Sequence, residues 1–295
     1  MATSAEPEAA FDNPLIPNAR VKQIYLAMMQ IRQLEQTLAA QRPKRAGSAA
    51  ALGLEACLVS TSVDLGSRDV VSDALAGGVV EFLRGGTLDS VVRKDGAGKK
   101  RGFKSDCGAA AKLPAWPGIE ERLWAALGVA AALKSQRAQE GPDADGTSAD
   151  SGVVVVYTRL GEVAPGLWRR TLAYVAEQEL PLVFVVLPAA GRSTSVKPGV
   201  TSSIAMRNGI PGIAVDADDA VAIYRVAQEA LGRARMGGGA VLIECVPFVL
   251  EGGRGLHKAS MDGIRGLEQY MLGRHIATNK WIERETKSFA KRIAR

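Results

Sequence analysis

The chain has 295 residues, of which 47% are hydrophobic and 23% charged, proportions typical of a folded globule and unlike those of a disordered chain. Its net charge of +6 is concentrated in two basic stretches, residues 94–104 and 287–295. Neither stretch interleaves aromatic residues or belongs to a recognised nucleic-acid module, so we predict basic surfaces and no nucleic-acid partner.

The first third of the chain predicts helices behind a flexible tail. Residues 1–17 are acidic and polar and form the predicted tail. Apolar residues recur at helical spacing over residues 21–38, and an Ala-rich second helix is predicted over residues 49–61. Short elements are predicted around Val70 and over residues 79–92.

Two segments predict mobile loops. Residues 93–118 are rich in Gly and Lys and then contain Pro, which predicts a long exposed loop. A helix is predicted over residues 120–135. Residues 139–152 are small, acidic and rich in turn formers, which predicts a second mobile loop.

Apolar strands and helices alternate regularly in the second half. Such alternation favours a mostly parallel, doubly wound α/β sheet with helices on both faces, within one domain over residues 18–295. The predicted strands are 153–157, 182–187, 213–215 and 240–246; the predicted helices are 167–178, 218–235 and two within 266–295.

Known catalytic and nucleotide-binding motifs do not occur. The turn over residues 158–166 matches neither a dinucleotide fingerprint nor a P-loop, and no nucleophile elbow is found. The two histidines, His257 and His275, are isolated, so we predict surface positions and no catalytic residue. Carboxylates at Asp216, Asp218 and Asp219, and at Glu120 and Glu121, fit helix starts, and Thr278 fits an N-cap.

The cysteines and the hydropathy of the sequence bear on the cellular compartment of the protein. Cys57, Cys107 and Cys245 are scattered, which argues against a disulfide framework or a zinc site. No apolar run has the roughly 18 residues of a membrane span, and no secretory signal is visible. We therefore predict a cytoplasmic protein with no membrane partner.

The order of segments resembles the α subunit of the decarboxylating component of pyruvate and branched-chain 2-oxo acid dehydrogenases. The resemblance runs through most of residues 20–295 and is strongest over residues 209–248. Its other segments are residues 24–38 with Met28, Ile31, Arg32 and Glu35, residues 53–56 (Gly-Leu-Glu-Ala), residues 153–187, and residues 266–281.

The resemblance implies a thiamine-diphosphate-binding-type fold. It also implies a diphosphate held through Mg²⁺ by an Asp after one strand and an Asn after the next. Leu160 and Ala189 stand at those two positions here, and neither side chain supplies the oxygen ligand that Mg²⁺ requires. We therefore predict no bound metal and no cofactor.

Three further family contacts are missing by the same comparison. The family's Tyr-Arg pair falls at Ala74 and Leu75, and its Gly-Ala-Gln-x-Pro segment falls at residues 120–124. Its Gly-His-Ser loop falls at residues 252–254, which read Gly-Gly-Arg. Only Gly161 and Arg159 are retained as candidate, vestigial cofactor-binding residues, since a guanidinium at a strand end can accept an anion.

These departures favour a degenerate, non-catalytic homologue that acts as an assembly or regulatory partner, either as a homodimer or with a β-type subunit. One alternative is an active oxidoreductase subunit that decarboxylates a 2-oxo acid with thiamine diphosphate bound in an altered way. Its basic loop at residues 94–104 would then dock an acidic lipoyl carrier domain. Another is a small-molecule binder that reuses the cofactor cleft.

Overall fold

A computed structural model describes nine ranges of the chain. They are residues 16–41, 51–92, 102–108, 110–114, 116, 118–140, 151–189, 197–247 and 262–294. Several predicted features lie outside these ranges: residues 1–15 of the acidic tail, residues 93–101 and 141–150 of the two predicted loops, residues 252–254, and His257.

Six parallel strands form one sheet in the order β2-β1-β3-β4-β6-β5. The strands are β1 (Val70–Ser72), β2 (Ala111–Lys112), β3 (Val154–Arg159), β4 (Leu182–Leu187), β5 (Gly212–Asp216) and β6 (Val241–Val246). The predicted α/β fold class is confirmed, since the sheet is parallel throughout and helices flank it.

Ten helices occur in the described ranges. They are α1 (Asn18–Gln41), α2 (Glu55–Ser60), α3 (Gly78–Leu83), α4 (Leu88–Val92), α5 (Ile119–Glu140), α6 (Pro165–Glu177), α7 (Val200–Arg207), α8 (Ala220–Arg235), α9 (Gly263–Gly273) and α10 (Asn279–Ile293). None of them is both long and apolar enough to cross a lipid bilayer.

Each face of the sheet is covered by its own apolar cluster. Side chains alternate along β3, so Val155 and Tyr157 join the cluster beneath α1, α2, α3 and α8. Val154 and Val156 join the cluster beneath α5, α6 and α7. Burial on both faces explains why the central strands are continuous β-branched runs rather than alternating ones.

Helix starts follow the predicted capping. Asp219 accepts hydrogen bonds from the amides of Val221 and Ala222 at the start of α8, at 3.0 and 2.9 Å. Thr278 caps α10. Glu120 and Glu121 lie in the first turn of α5, where a carboxylate complements the helix dipole.

The predicted exposed loop at residues 93–118 was partly wrong. Residues Ala111–Lys112 form an edge strand, and the ring of Phe103 packs between those of Phe82 and Phe289, at centroid distances of 6.3 and 5.6 Å. An aromatic ring inside a Gly/Lys-rich segment anchors it to the apolar cluster, which composition alone did not indicate. The second predicted loop begins two residues too early, since α5 extends to Glu140.

Two helices also differ from their predicted form. The second helix is confined to Glu55–Ser60, because Gly53 adopts a φ of 77° in the turn before it. Helix α7 was not predicted. Buried Glu244 on β6 accepts hydrogen bonds from the amides of Gly199 and Ser202 at its start, at 2.9 and 2.7 Å.

An ion pair joins the first two helices. Arg32 on α1 makes two hydrogen bonds of 2.8 Å to the carboxylate of Glu55, which is buried, and it also pairs with Asp262 at the start of α9. Two of the residues that carry the family resemblance, Arg32 and Glu55, therefore have a packing role.

We expect Arg32→Met to lower the free energy of unfolding by about 3 kcal/mol, because it leaves the Glu55 carboxylate buried without its cation. Arg32→Met/Glu55→Met should recover most of that loss in a denaturant titration. Arg284→Met, which removes an exposed ion pair with Glu285, is the control and should change stability by less than about 1 kcal/mol. A double variant as unstable as the single one would contradict the buried-pair explanation.

Asp218 generates a prediction about pH. Burial, together with the nearby carboxylates Asp216, Asp262 and Glu55, raises the pKa of Asp218 to about 6 against the opposing effect of Arg32. The folded state binds the proton of the Asp218 carboxyl group more tightly than the unfolded state does. The contribution of Asp218 to the free energy of unfolding therefore falls as pH rises from about 4 to 6.

Asp218→Asn should therefore raise the free energy of unfolding at pH 7.5 by about 1 kcal/mol, a figure reduced for partial exposure to solvent. At pH 4 it should leave stability unchanged, because Asp218 is then protonated in the wild type. Glu229→Gln, on the exposed side of α8, serves as the control and should show no such pH-dependent difference. Equal gains at both pH values would disprove the titration of Asp218.

Candidate functional site

The candidate site lies at the carboxyl ends of β1 and β3. The chain leaving β1 enters α3 on one face of the sheet, while the chain leaving β3 enters α6 on the other. Divergence of this kind opens a crevice between neighbouring strands, and ligands of open α/β sheets bind in such crevices. Asp73 follows β1 directly, and the turn Leu160-Gly161-Glu162 follows β3.

The turn after β3 is held by its own hydrogen bonds. The Leu160 amide donates to the carbonyl of Leu187 over 2.8 Å, and the Arg159 amide donates to the Glu162 carboxylate over 2.8 Å. Gly161 has a φ of 85°, which favours glycine at this position of the turn. The backbone conformation of the turn is therefore enough to account for glycine at position 161, and no ligand has to be invoked.

Leu160 belongs to the apolar cluster beneath α6. It is 7% exposed, and the cluster also contains Val163, Leu167 and Trp168. Ala189, which follows β4, packs against the same cluster. The two positions that the family resemblance assigns to metal ligands thus carry hydrocarbon side chains in an apolar environment.

Ion pairs fill the crevice. Arg122 on α5 reaches across it, with one guanidinium nitrogen 2.7 Å from Glu162 and another donating to the carbonyl of Asp73 over 2.9 Å. Arg84, which follows α3, pairs with the Asp73 carboxylate at 2.7 Å. The Arg84 and Asp73 side chains are 2% and 5% exposed, so this pair is almost fully removed from water.

The network continues under the sheet to α2. Arg84 also donates to the hydroxyl of Ser62 over 2.6 Å, and its guanidinium lies 5.0 Å from the ring centroid of Tyr157. The Tyr157 hydroxyl lies 2.8 Å from that of Ser62 and 2.7 Å from that of Thr61. Burial raises the pKa of Tyr157 against the opposing effect of Arg84, so the phenol is protonated at neutral pH.

Arg159 is half-buried and held at the strand end. Its guanidinium donates to the carbonyl of Pro188 over 3.4 Å. Burial lowers the pKa of Arg159, and the carboxylate of Glu162 opposes that shift. The structure places Arg159 and Gly161 together at the end of β3, as their sequence positions require, and their binding role remains a prediction.

The other candidate positions do not join this crevice as ligands. Within residues 118–140, the segment aligned with the family's Gly-Ala-Gln-x-Pro contact forms the first turns of α5, and Arg122 there makes the ion pair just described. His275 is exposed in the turn after α9, with a φ of 56°. Nowhere in the described ranges do three or more His, Cys, Asp or Glu side chains gather as they would around a metal ion.

Sequence reasoning missed the ion-pair network. Arg84 and Asp73 were not singled out, although an arginine directly after the apolar helix GVVEFL and a carboxylate directly after a strand are both unusual enough to search for. Arg122 was considered only as part of a misfit to the family motif. Arg122 contacts Asp73 and Glu162, which are 49 and 40 residues away in sequence, so these contacts required the fold to be known.

Comparison with known proteins supports the assignment of the fold. Residues 128–264, from within α5 to the start of α9, match the family model for the dehydrogenase E1 component.

Three of the curated relatives are α subunits. The α subunit of acetoin:2,6-dichlorophenolindophenol oxidoreductase of Bacillus subtilis (strain 168) is 34% identical over 36% of this chain and 38% of its own length. The chloroplastic pyruvate dehydrogenase E1 component subunit alpha-3 of Oryza sativa subsp. japonica is 34% identical over 39% of this chain and 30% of its own length. The pyruvate dehydrogenase E1 component subunit alpha of Staphylococcus aureus (strain Mu50 / ATCC 700699) is 30% identical over 42% of this chain and 31% of its own length.

The matched segment spans only about a third of the length of these relatives. The family-model match over residues 128–264 contains β3, β4, β5 and β6 with their connecting helices, together with the turn at Leu160 and the position of Ala189. Over these residues the chain is similar to the α subunits of 2-oxo acid dehydrogenases.

Proposed function

We propose that the chain is a non-catalytic homologue of a 2-oxo acid dehydrogenase α subunit and acts as an assembly or regulatory partner. One observation carries the proposal: the charged side chains in the crevice between β1 and β3 are paired with one another. Arg122, Glu162, Asp73 and Arg84 occupy it as mutually paired charges.

The residues present do not fit a magnesium-bound diphosphate. Mg²⁺ needs oxygen ligands in near-octahedral geometry, and Leu160 and Ala189 have none to offer. Moving a divalent ion against the apolar cluster that holds Leu160 would leave its charge uncompensated, at a cost of several kcal/mol.

The carboxylates in the crevice already accept hydrogen bonds from other residues of the chain. Both carboxylate oxygens of Glu162 accept hydrogen bonds, one from Arg122 and one from the Arg159 amide. Both carboxylate oxygens of Asp73 accept from Arg84. Binding a metal through either residue would break a buried charge pair, which costs more than an exposed pair would.

The alternative function is an active oxidoreductase subunit with thiamine diphosphate bound in an altered way. Its support is Arg159, a cation beside Gly161 at a strand end where an anion could be accepted. Against it, the guanidinium of Arg159 is already hydrogen-bonded to Pro188. The carrier-docking loop that this alternative invokes lies largely outside the described residues.

Association with a β-type subunit fits the exposed surface of α5 and α6. Trp124 on α5 and Tyr174 on α6 are 43% and 41% exposed, and their rings meet edge to face at 6.2 Å. Exposed Trp and Tyr side chains are enriched at the centres of protein interfaces. The relatives are themselves named as subunits, which favours a β-type partner over a homodimer.

The cysteines fit the predicted cytoplasmic compartment. Cys57, Cys107 and Cys245 are all free thiols. Burial raises the pKa of Cys107 to about 11, with Arg84 opposing the shift, so this thiol is protonated and unreactive at neutral pH.

The first test is direct titration of the cofactor. We expect no saturable heat of binding when thiamine diphosphate and Mg²⁺ are added together at up to about 1 mM, a concentration that would detect a Kd in the high micromolar range. Leu160→Asp/Ala189→Asn should also fail to bind, because the crevice remains filled by Arg122 and Glu162. Saturable binding by the wild type would overturn the non-catalytic assignment.

The second test is co-purification of the intact chain with a β-type subunit. Trp124→Ala/Tyr174→Ala should weaken the complex by at least about tenfold, the effect expected when interface aromatic residues are truncated. Met236→Ala is the matched control, since Met236 is 72% exposed after the end of α8. A wild-type chain that forms only homodimers, or none, would contradict the β-type partner.

A further inference from the structure

A groove lies between α6 and α7, and none of the residues that line it belongs to the crevice between β1 and β3. Its volume is about 330 Å³. Six residues line it: Pro165 and Arg169 from α6, and Val200, Ile204, Arg207 and Asn208 from α7 and its end.

The floor of the groove is apolar. Ile204 is 6% exposed and joins the apolar cluster beneath α6 and α7, and Val200 packs against that cluster. Because residues 200, 204 and 207 are spaced three and four apart, they share one face of α7. A hydrocarbon body placed here would be removed from water on the side facing the protein.

Two arginines line this floor without an acidic partner. Arg169 and Arg207 are exposed, and neither forms an ion pair within the described ranges. The Nε of Arg207 donates to the carbonyl of Ser203 over 3.2 Å, which steadies the side chain and leaves its two terminal NH₂ groups for a ligand.

Neighbouring arginines are paired, which sets these two apart. Arg170, next to Arg169 on α6, lies 3.5 Å from Glu120 on α5. Arg122 is paired with Glu162. Arg169 and Arg207, in contrast, line the apolar groove and form no ion pair within the described ranges.

We propose that this groove binds a short-chain aliphatic carboxylate, with its anionic group on Arg169 and Arg207 and its hydrocarbon chain over Val200 and Ile204. A guanidinium presents a planar fork of donors that matches a carboxylate. The volume is near the lower end of the roughly 300–1,000 Å³ found for ligand pockets, which favours a small acid over a nucleotide.

This inference goes beyond the proposed function and is independent of it. The ligand contacts none of the residues at the end of β3, so the result of the cofactor titration does not affect it. A partner protein whose assembly state responds to a small carboxylate would be a ligand-dependent regulator.

Calorimetric titration of the full chain with hexanoate, hexan-1-ol and acetate tests both parts of the site. Hexanoate should saturate below about 10 mM, which corresponds to a weak but specific small-ligand site. Hexanol lacks the charge and acetate lacks the hydrocarbon chain, so each should bind at least about tenfold more weakly. No saturation by hexanoate, or equal binding of hexanoate and hexanol, would overturn the proposal.

Variants locate the site. Arg169→Gln/Arg207→Gln should weaken hexanoate binding at least about tenfold, whereas Arg170→Gln, one residue away on the same helix, should change it less than about twofold. Arg169→Glu/Arg207→Glu should abolish hexanoate binding and create binding of hexylammonium. If the double Gln variant binds hexanoate as the wild type does, the groove is not the binding site. The thermal midpoint of each variant is measured as a control, and an unchanged midpoint shows that the substitutions leave the fold intact.

Discussion

The buried ion pair between Arg84 and Asp73 is the interaction on which the carboxyl edge of the sheet depends. Desolvation of a guanidinium and a carboxylate is unfavourable, and further contacts offset it here: Ser62 accepts from Arg84, and the ring of Tyr157 faces the cation. The pair joins the residue after β1 to the residue after α3, while Tyr157 belongs to β3. Three elements thus meet at one charge pair, and Arg122 extends it to the turn after β3.

The same network decides what the crevice can hold. In a sheet of this topology the gap between β1 and β3 is where a ligand would enter, and a catalytic chain would keep its charged groups available there. In this chain the acids and bases are paired with one another, and Leu160, at the position that the family resemblance assigns to a metal-binding aspartate, lies in an apolar cluster. The strands and helices around the crevice are held by packing among the chain's own side chains.

The elements predicted correctly were those specified by local pattern. The run Leu182–Leu187 is entirely buried and β-branched or aromatic at most positions, so its strand was predicted to the residue. Helix α7 was missed because the sequence VTSSIAMR has weak helical propensity and its start is held by Glu244, which is 42 residues away from Ser202. At the candidate site, the substitutions at Leu160 and Ala189 were readable from sequence, but the pairing of Arg84, Asp73, Arg122 and Glu162 depends on contacts between distant segments.

Charge pairing also explains why the groove between α6 and α7 differs from the crevice. The chain carries an excess of arginine and lysine, and Arg84, Arg122 and Arg159 at the carboxyl edge each contact a carboxylate or carbonyl oxygen of another segment. On α6, adjacent arginines differ: Arg170 pairs with Glu120 on α5, whereas Arg169 lines the apolar groove together with Arg207. The charged groups between β1 and β3 are therefore paired with one another, while two guanidinium groups lie beside the apolar floor of the groove, which is why we propose the groove as the anion site.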